Sequence, residues 1–361
     1  MKASKLCSVL VACMLAVSLC ACSSNSSTKS SDNSSSSSTQ KTAEVKKGTN
    51  KSGDITYTVD MTKYESGKVV KCWLPLPQTS DYQTIGEIKY EASSAKTTKI
   101  NEKDGNKMLY IEWDASAEPS TRKATCTFHV SRPEILAPEL TESGTLGNDL
   151  SEYLESSSTI PVNDSQIKSK AEEITKGKSS VLDKAKAIYD WIIENMNRDE
   201  SVTGCGTGDV CTLLSTKGGK CTDINSVFVG LCRAAGVPAR ETFGIRINDT
   251  DITKGQHCWA QFYLPGTGWV FADPADVLKA VLKNNWSKDS AETKAKAAYY
   301  WGNTDNERIS LSVGRDVTLS PAQSGDKLNN FGYPYAEVDG TAVDYYKPTD
   351  FVYSIAFKAG N

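Results

Sequence analysis

Apolar residues follow three rhythms along this chain, and each rhythm predicts a different kind of structure. Residues 6–21 form a nearly unbroken apolar run behind Lys2 and Lys5. The run is shorter than the roughly 20 residues of a membrane helix and has the layout of a secretory signal. Between about residues 54 and 135 the rhythm is alternation, at 56–59, 69–74, 108–113 and 125–130, with Gly, Asp, Asn and Ser between. This pattern predicts strands that close into a small β-sandwich. The third rhythm has a spacing of three and four. Leu182, Ala185, Tyr189, Ile192 and Met196 form one stripe over residues 181–196, a helix with its core face marked, and residues 166–175 read as a second helix. Residues 149–154 read as a short helical turn between the two regions.

Residues 222–235 are the best-marked helix. Ile224, Val227, Phe228 and Leu231 make the apolar face, Asp223 suits the positive N-terminal end, and Gly236-Val237-Pro238 stops it. Strands follow at 239–247, 256–264 and 269–273, the last two joined by Pro265-Gly-Thr-Gly268. From about Tyr299 onward, turn residues mix with strand-like stretches at 309–313, 317–319 and 351–357, expected to pack on the central region. The Tyr residues of this part read as core in preference to a glycan-binding surface.

Composition adds a leader and a tether. Residues 23–52 are rich in Ser, Asn, Thr and Lys and cannot offset their own ordering entropy. Just before them, Leu19-Cys20-Ala21-Cys22 resembles the lipobox of bacterial lipoproteins, which implies lipidation at Cys22 and anchoring on the extracytoplasmic face of the membrane. An ordinary signal peptide or an uncleaved anchor is the competing reading. The organisation expected is a signal at 1–21, a tether at 22–52, a β-sandwich-like domain at 53–140, a core at 141–290 and a β-rich extension at 291–361. A net charge of −3 argues against nucleic acid as a partner.

The chain has eleven cysteines and two histidines, His129 and His257. Beyond the leader and Cys22 the thiols are Cys72, Cys126, Cys205, Cys211, Cys221, Cys232 and Cys258, an odd number that leaves one unpaired. Cys72 with Cys126, and Cys205 with Cys211, are candidate disulfides; each pair reads equally well as free thiols. A zinc site from Cys205, Cys211 and His257 lacks paired ligand spacing, and no metal or cofactor is implied. Gly219-Lys220 does not belong to a phosphate loop, because Leu214 stands at the upstream glycine position and Cys221 replaces Ser or Thr.

Three residues do converge on chemistry. Cys221 opens a buried helix after two glycines, and a helix N-terminus lowers a thiol pKa; the glycines leave room for a substrate carbonyl. His257 lies on one strand of the next hairpin and Asp273 at the end of the other, on one side and within about 5–8 Å of each other. A nucleophile, a base and an orienting carboxylate are thus all present. Trp259 and Trp269 read as core or cleft wall.

Gly219-Lys220-Cys221-Thr222-Asp223, the run Leu231 to Arg240, His257-Cys258-Trp259 and Trp269 to Asp273 resemble the core blocks of the transglutaminase-like superfamily. The resemblance covers about residues 180 to 280. It implies an α+β papain-like core flanked by β-rich regions, with Cys221 as nucleophile, His257 as base and Asp273 as its orienting carboxylate; the side-chain donor of the oxyanion hole has no clear counterpart. The function implied is acyl transfer or hydrolysis at amide or peptide bonds through a Cys221 thioester, as protease, amidase or protein-glutamine transglutaminase. The substrate would be a peptide or protein, with cell-wall peptide one option. The alternative is a cell-wall binding or scaffold module that keeps the fold without catalysis.

Overall fold

The computed structural model describes residues 45–360. The expected signal, Cys22 and most of the tether lie outside the described residues. Six strands come first: β1 (Lys46–Asp60), β2 (Val70–Leu76), β3 (Thr84–Ala92), β4 (Thr97–Lys103), β5 (Asn106–Trp113) and β6 (Lys123–Leu136). Strand β1 starts inside the stretch read as tether, since Lys46 pairs with Leu136 and Lys51 with Arg132. Backbone pairing there needs no apolar side chains, and residues 46–50 remain exposed. From Gly53 onward the expected alternation takes over, turning Ile55, Tyr57 and Val59 into the core. Strands β3 and β4 carry no alternating signal because their residues are mostly exposed or half-buried.

The central region begins with α1 (Ser165–Ile174) and α2 (Val181–Asn195), then β7 (Asn197–Arg198), α3 (Val210–Thr216), β8 (Gly218–Gly219) and α4 (Cys221–Ala234). Strands β9 (Ala239–Arg246), β10 (Gln256–Leu264) and β11 (Gly268–Ala272) follow. Next come α5 (Pro274–Asn284), α6 (Ala291–Tyr299), β12 (Trp301–Gly302) and β13 (Arg308–Val313). The central sheet runs β12-β11-β10-β9-β13, all antiparallel. Helix α4 lies across β10 and β9 with α1, α2, α3 and α5 around it, so every residue from Cys221 to Cys232 is buried. This is the mixed α and β, papain-like arrangement that the resemblance implies.

Three strands remain: β14 (Tyr335–Val338), β15 (Thr341–Ala342) and β16 (Val352–Ala359). None of these three joins the central sheet. Strand β14 pairs with β2, and β16 pairs with β1, giving sheets ordered β15-β14-β2-β5-β4 and β16-β1-β6-β3. Their inner faces share one core that also takes in Ile245 and Ile309 from the central sheet. The late strands therefore complete the sandwich as well as covering the core. Residues 317–319 form only an isolated bridge, Val317 to Leu328. No helix among the described residues is long and apolar enough to cross a membrane.

Candidate active site

Cys221 is the first residue of α4, and its neighbours explain why a helix starts there. The Asp223 carboxylate turns back to accept the backbone N–H of Lys220 at 2.9 Å and that of Gly208 at 2.9 Å. It satisfies donors left open at a helix start and ties the loop carrying Cys205 to it. A Cβ at residue 219 would come within 2.4 Å of the Asp223 Cβ. Asp223, not substrate approach, is what requires glycine at 219.

The hairpin does what its sequence predicts. Ala260 pairs with Ala272, so Asp273, one residue beyond β11, stands diagonal to His257. Nε2 of His257 lies 2.8 Å from Oδ2 of Asp273, both side chains buried. Asp273 also caps α5, its Oδ1 accepting the Asp276 N–H at 3.1 Å. Cys221, 3% exposed, lines the same hollow as His257, a space of about 230 Å³.

The electrostatics set Cys221 and His257 apart from their surroundings. The Cys221 thiol is held well below the ordinary thiol range, because Cys205 and Cys258 hydrogen-bond to its sulfur and, against the cost of burial, His257 adds a hydrogen bond and a positive charge. Cys205 is pushed up chiefly by donating to Cys221, and Cys258 chiefly by burial. Burial and Arg246 pull the His257 imidazole down, but Asp276 and Asp273 outweigh them and leave it above its ordinary value.

Sequence reasoning misses the groups behind the imidazole. Arg308, 1% exposed, reaches Asp273 through Nη1 and Asp276 through Nη2 at 2.7 Å, and both its Nη2 and its Nε reach Asp305. Arg246 pairs with the other oxygen of Asp276. Burial would raise the Asp276 carboxyl, but Arg246, His257 and Arg308 hold it well below the usual carboxylate range. His257, Asp273 and Asp276 offer ligand atoms within 4.8 Å of one another. Guanidinium groups already occupy these carboxylates, so the donor set fits an ion-pair network and not a metal cradle. One signal was available: Asp276 stands three residues after Asp273 at the start of a helix.

The structure does not join the candidate disulfides; all seven thiols are free. Cys72 and Cys126 are buried in different sheets of the sandwich. Cys205 faces the Gln256 carbonyl at 3.5 Å and the Tyr333 hydroxyl at 3.2 Å, while Cys211 lies on α3 beyond the turn holding Gly206 and Gly208. Trp259 is core beside the site, its ring 6.1 Å from that of His257. Trp269 is remote from it, stacked under Arg240 at 3.9 Å. Tyr333, Tyr345 and Tyr346 cluster with centroids 4.5–5.2 Å apart. They wall a second hollow of about 370 Å³ that shares Gly204, Cys205, Lys220, Lys254 and Gln256 with the first.

A sequence model described as the transglutaminase-like superfamily matches residues 168–274, which take in Cys221, His257 and Asp273. An uncharacterized protein of Haemophilus influenzae is 36% identical over 333 residues, 84% of this chain and 89% of that protein. The chain belongs to the transglutaminase-like superfamily. The uncharacterized protein YebA of Bacillus subtilis shares 27% identity over 139 residues, 34% of this chain and 18% of its own length. The crystal structure of a candidate cysteine protease from Cytophaga hutchinsonii has the same fold, with a TM-score of 0.52 at 15% identity over 87% of this chain and all of that one. The shared fold thus takes in the β-rich flanks of this chain as well as the core, whereas the family match covers residues 168–274.

Proposed function

We propose that this transglutaminase-like protein is a cysteine acyl-transfer or hydrolysis enzyme acting on amide or peptide bonds, held outside the cell by a lipid at Cys22. The observation that carries the catalytic reading is Cys221 itself. It is a thiol favoured as thiolate at a helix start, sharing a hollow with an imidazole favoured as imidazolium that is bonded to a buried carboxylate.

The step follows from those charges. Sγ of Cys221 adds to a substrate carbonyl carbon, and the developing oxyanion draws on the N–H groups at the start of α4. The side-chain donor in this reading is Gln256, whose Nε2 is buried without a partner and which lines the hollow. Trp259 Nε1 is also unpartnered, but Trp259 does not line that space. His257 gives its proton to the leaving amine as the C–N bond breaks, leaving a Cys221 thioester. It then takes a proton from the acceptor that resolves the thioester. Water as acceptor gives a peptidase or amidase, and an amine gives a transglutaminase.

The test is burst kinetics with activated esters and peptides, combined with the intact mass of the trapped acyl-enzyme. A burst and one added acyl mass on Cys221, both lost in Cys221→Ala, support the reading. Wild-type turnover by Cys221→Ala refutes it. A cysteine inert to substrates and to alkylation at neutral pH returns the chain to the scaffold alternative.

A further inference from the structure

The hollow in front of Cys221 carries an imbalance of charge that catalysis alone does not require. Five cationic side chains wall it, Arg198, Lys220, Arg246, Lys254 and Lys279, against one carboxylate, Glu200. They converge from β7, the start of α4, the end of β9, the β9–β10 connection and α5. Arg198 and Lys220 share Glu200, at 2.9 and 3.5 Å, and Arg246 is held by Asp276. Lys254 and Lys279 have no ion-pair partner among the described residues. Lys279 is half-buried, and burial, then Arg246, push its ammonium down. Cations gathered in a walled space concentrate field lines and draw in anions, and a half-buried ammonium such as that of Lys279 is costly without counter-charge.

The adjoining hollow differs on its far side. Beyond the residues both share, Lys220 and Lys254 among them, it is walled by Tyr333, Tyr345, Tyr346, Phe351 and Tyr353. A chain laid through both spaces passes from an aromatic wall, across the thiol, into a cationic chamber.

Resting on the acyl-enzyme reading above, we infer that the substrate is an acidic peptide, whose carboxylate docks between Lys254 and Lys279 while a large apolar side chain occupies the aromatic hollow. The carboxylate comes either from an acidic side chain or from a free peptide end. Either source presents the same charge to the chamber.

The first test uses two reagents that differ mainly in charge, iodoacetate and iodoacetamide. Rates at Cys221 are taken as a ratio, in which the thiolate population cancels, and normalised to a small free thiol. The normalised ratio should exceed one by about tenfold, from a unit charge near unpaired cations. It should fall by about that factor in Lys254→Met/Lys279→Met, and by less in the exposed-site variant Lys254→Met. An ion pair with His257 alone would raise the ratio equally in all three proteins, and a ratio unmoved by the lysine changes overturns the inference. Labelling by iodoacetamide without preference for iodoacetate overturns it too, yet leaves the acyl-enzyme reading standing. A thiol inert to both reagents overturns both.

The second test compares peptides bearing Asp or Asn beside the reacting carbonyl, each as free acid and as C-terminal amide. A preference for Asp assigns the carboxylate to a side chain, and a preference for the free acid assigns it to a chain end. Equal rates for all four overturn the inference.

Discussion

Nη1 of Arg308 stands 3.2 Å from Nε2 of His257. Nε2 also lies 2.8 Å from Oδ2 of Asp273, a carboxylate oxygen that only accepts, so Nε2 donates there and has no lone pair for the guanidinium: both groups donate to Oδ2. Nε2 must therefore carry a hydrogen, which in the proposed reaction leaves Nδ1 as the nitrogen that would exchange a proton with Cys221. Asp273, Asp276 and Asp305 set three carboxylates against the two guanidiniums of Arg246 and Arg308. This excess of carboxylate is what lifts the His257 imidazole above its ordinary value, Asp276 and Asp273 outweighing burial and Arg246.

Arg308→Leu should destabilise the protein by about 3–5 kcal/mol, because it strands buried carboxylates without their cation. Arg308→Lys should recover part of this, since it restores the charge but not the fork that reaches three acids. Urea unfolding of the three proteins measures both.

Alkylation of Cys221 should persist well below the pH at which an ordinary thiol falls silent, because its thiolate is the favoured form. The Cys205 thiol is the largest contributor to that preference. Cys205→Ala should shift the acid limb of the iodoacetamide rate profile upward. A lowered pKa means the charged form is present above it, so the loss appears at low pH and vanishes at high pH. The alkaline limb of turnover should lie above the ordinary histidine value, as His257 loses its proton there.

Gln256→Leu should cut thioester formation about 10²–10³-fold, the usual loss for one oxyanion donor. Alkylation builds no oxyanion, so the ratio of acylation to alkylation is the readout. A ratio equal to wild type assigns the donor elsewhere.

Cys22→Ala should release the protein from the membrane fraction or leave it unprocessed. A single acyl chain anchors only marginally, and stable retention needs the several chains of a processed lipoprotein. Fractionation with mass analysis of the N-terminal peptide checks this.

Cys221, His257 and Asp273 were legible because each sits on an element that announces itself locally. The i, i+3, i+4 stripe sets α4, and the Pro265-to-Gly268 turn sets the hairpin register. Arg308 was not legible. It lies 35 residues from Asp273 in sequence, on a strand whose alternation says only which face is buried. The seven cysteines mislead for a related reason: parity counts thiols but carries no distances, and the Cys205 thiol faces the Gln256 carbonyl and the Tyr333 hydroxyl. The aromatic hollow escaped as well, since clustered tyrosines look alike whether they fill a core or wall a cleft.

Strand β16 lies alongside β1, Phe357 against Ile55 and Ile355 against Tyr57. A polypeptide made from its N-terminus presents β1 early and β16 very late. Through that interval the sheet has an open edge, the kind of surface that chaperones must guard and other chains invade. Any product broken off before residue 352 keeps this edge for good. Pairing of that edge therefore depends on a strand nearly 300 residues further along the chain, so removal of residues 352–359 should expose the β1 edge.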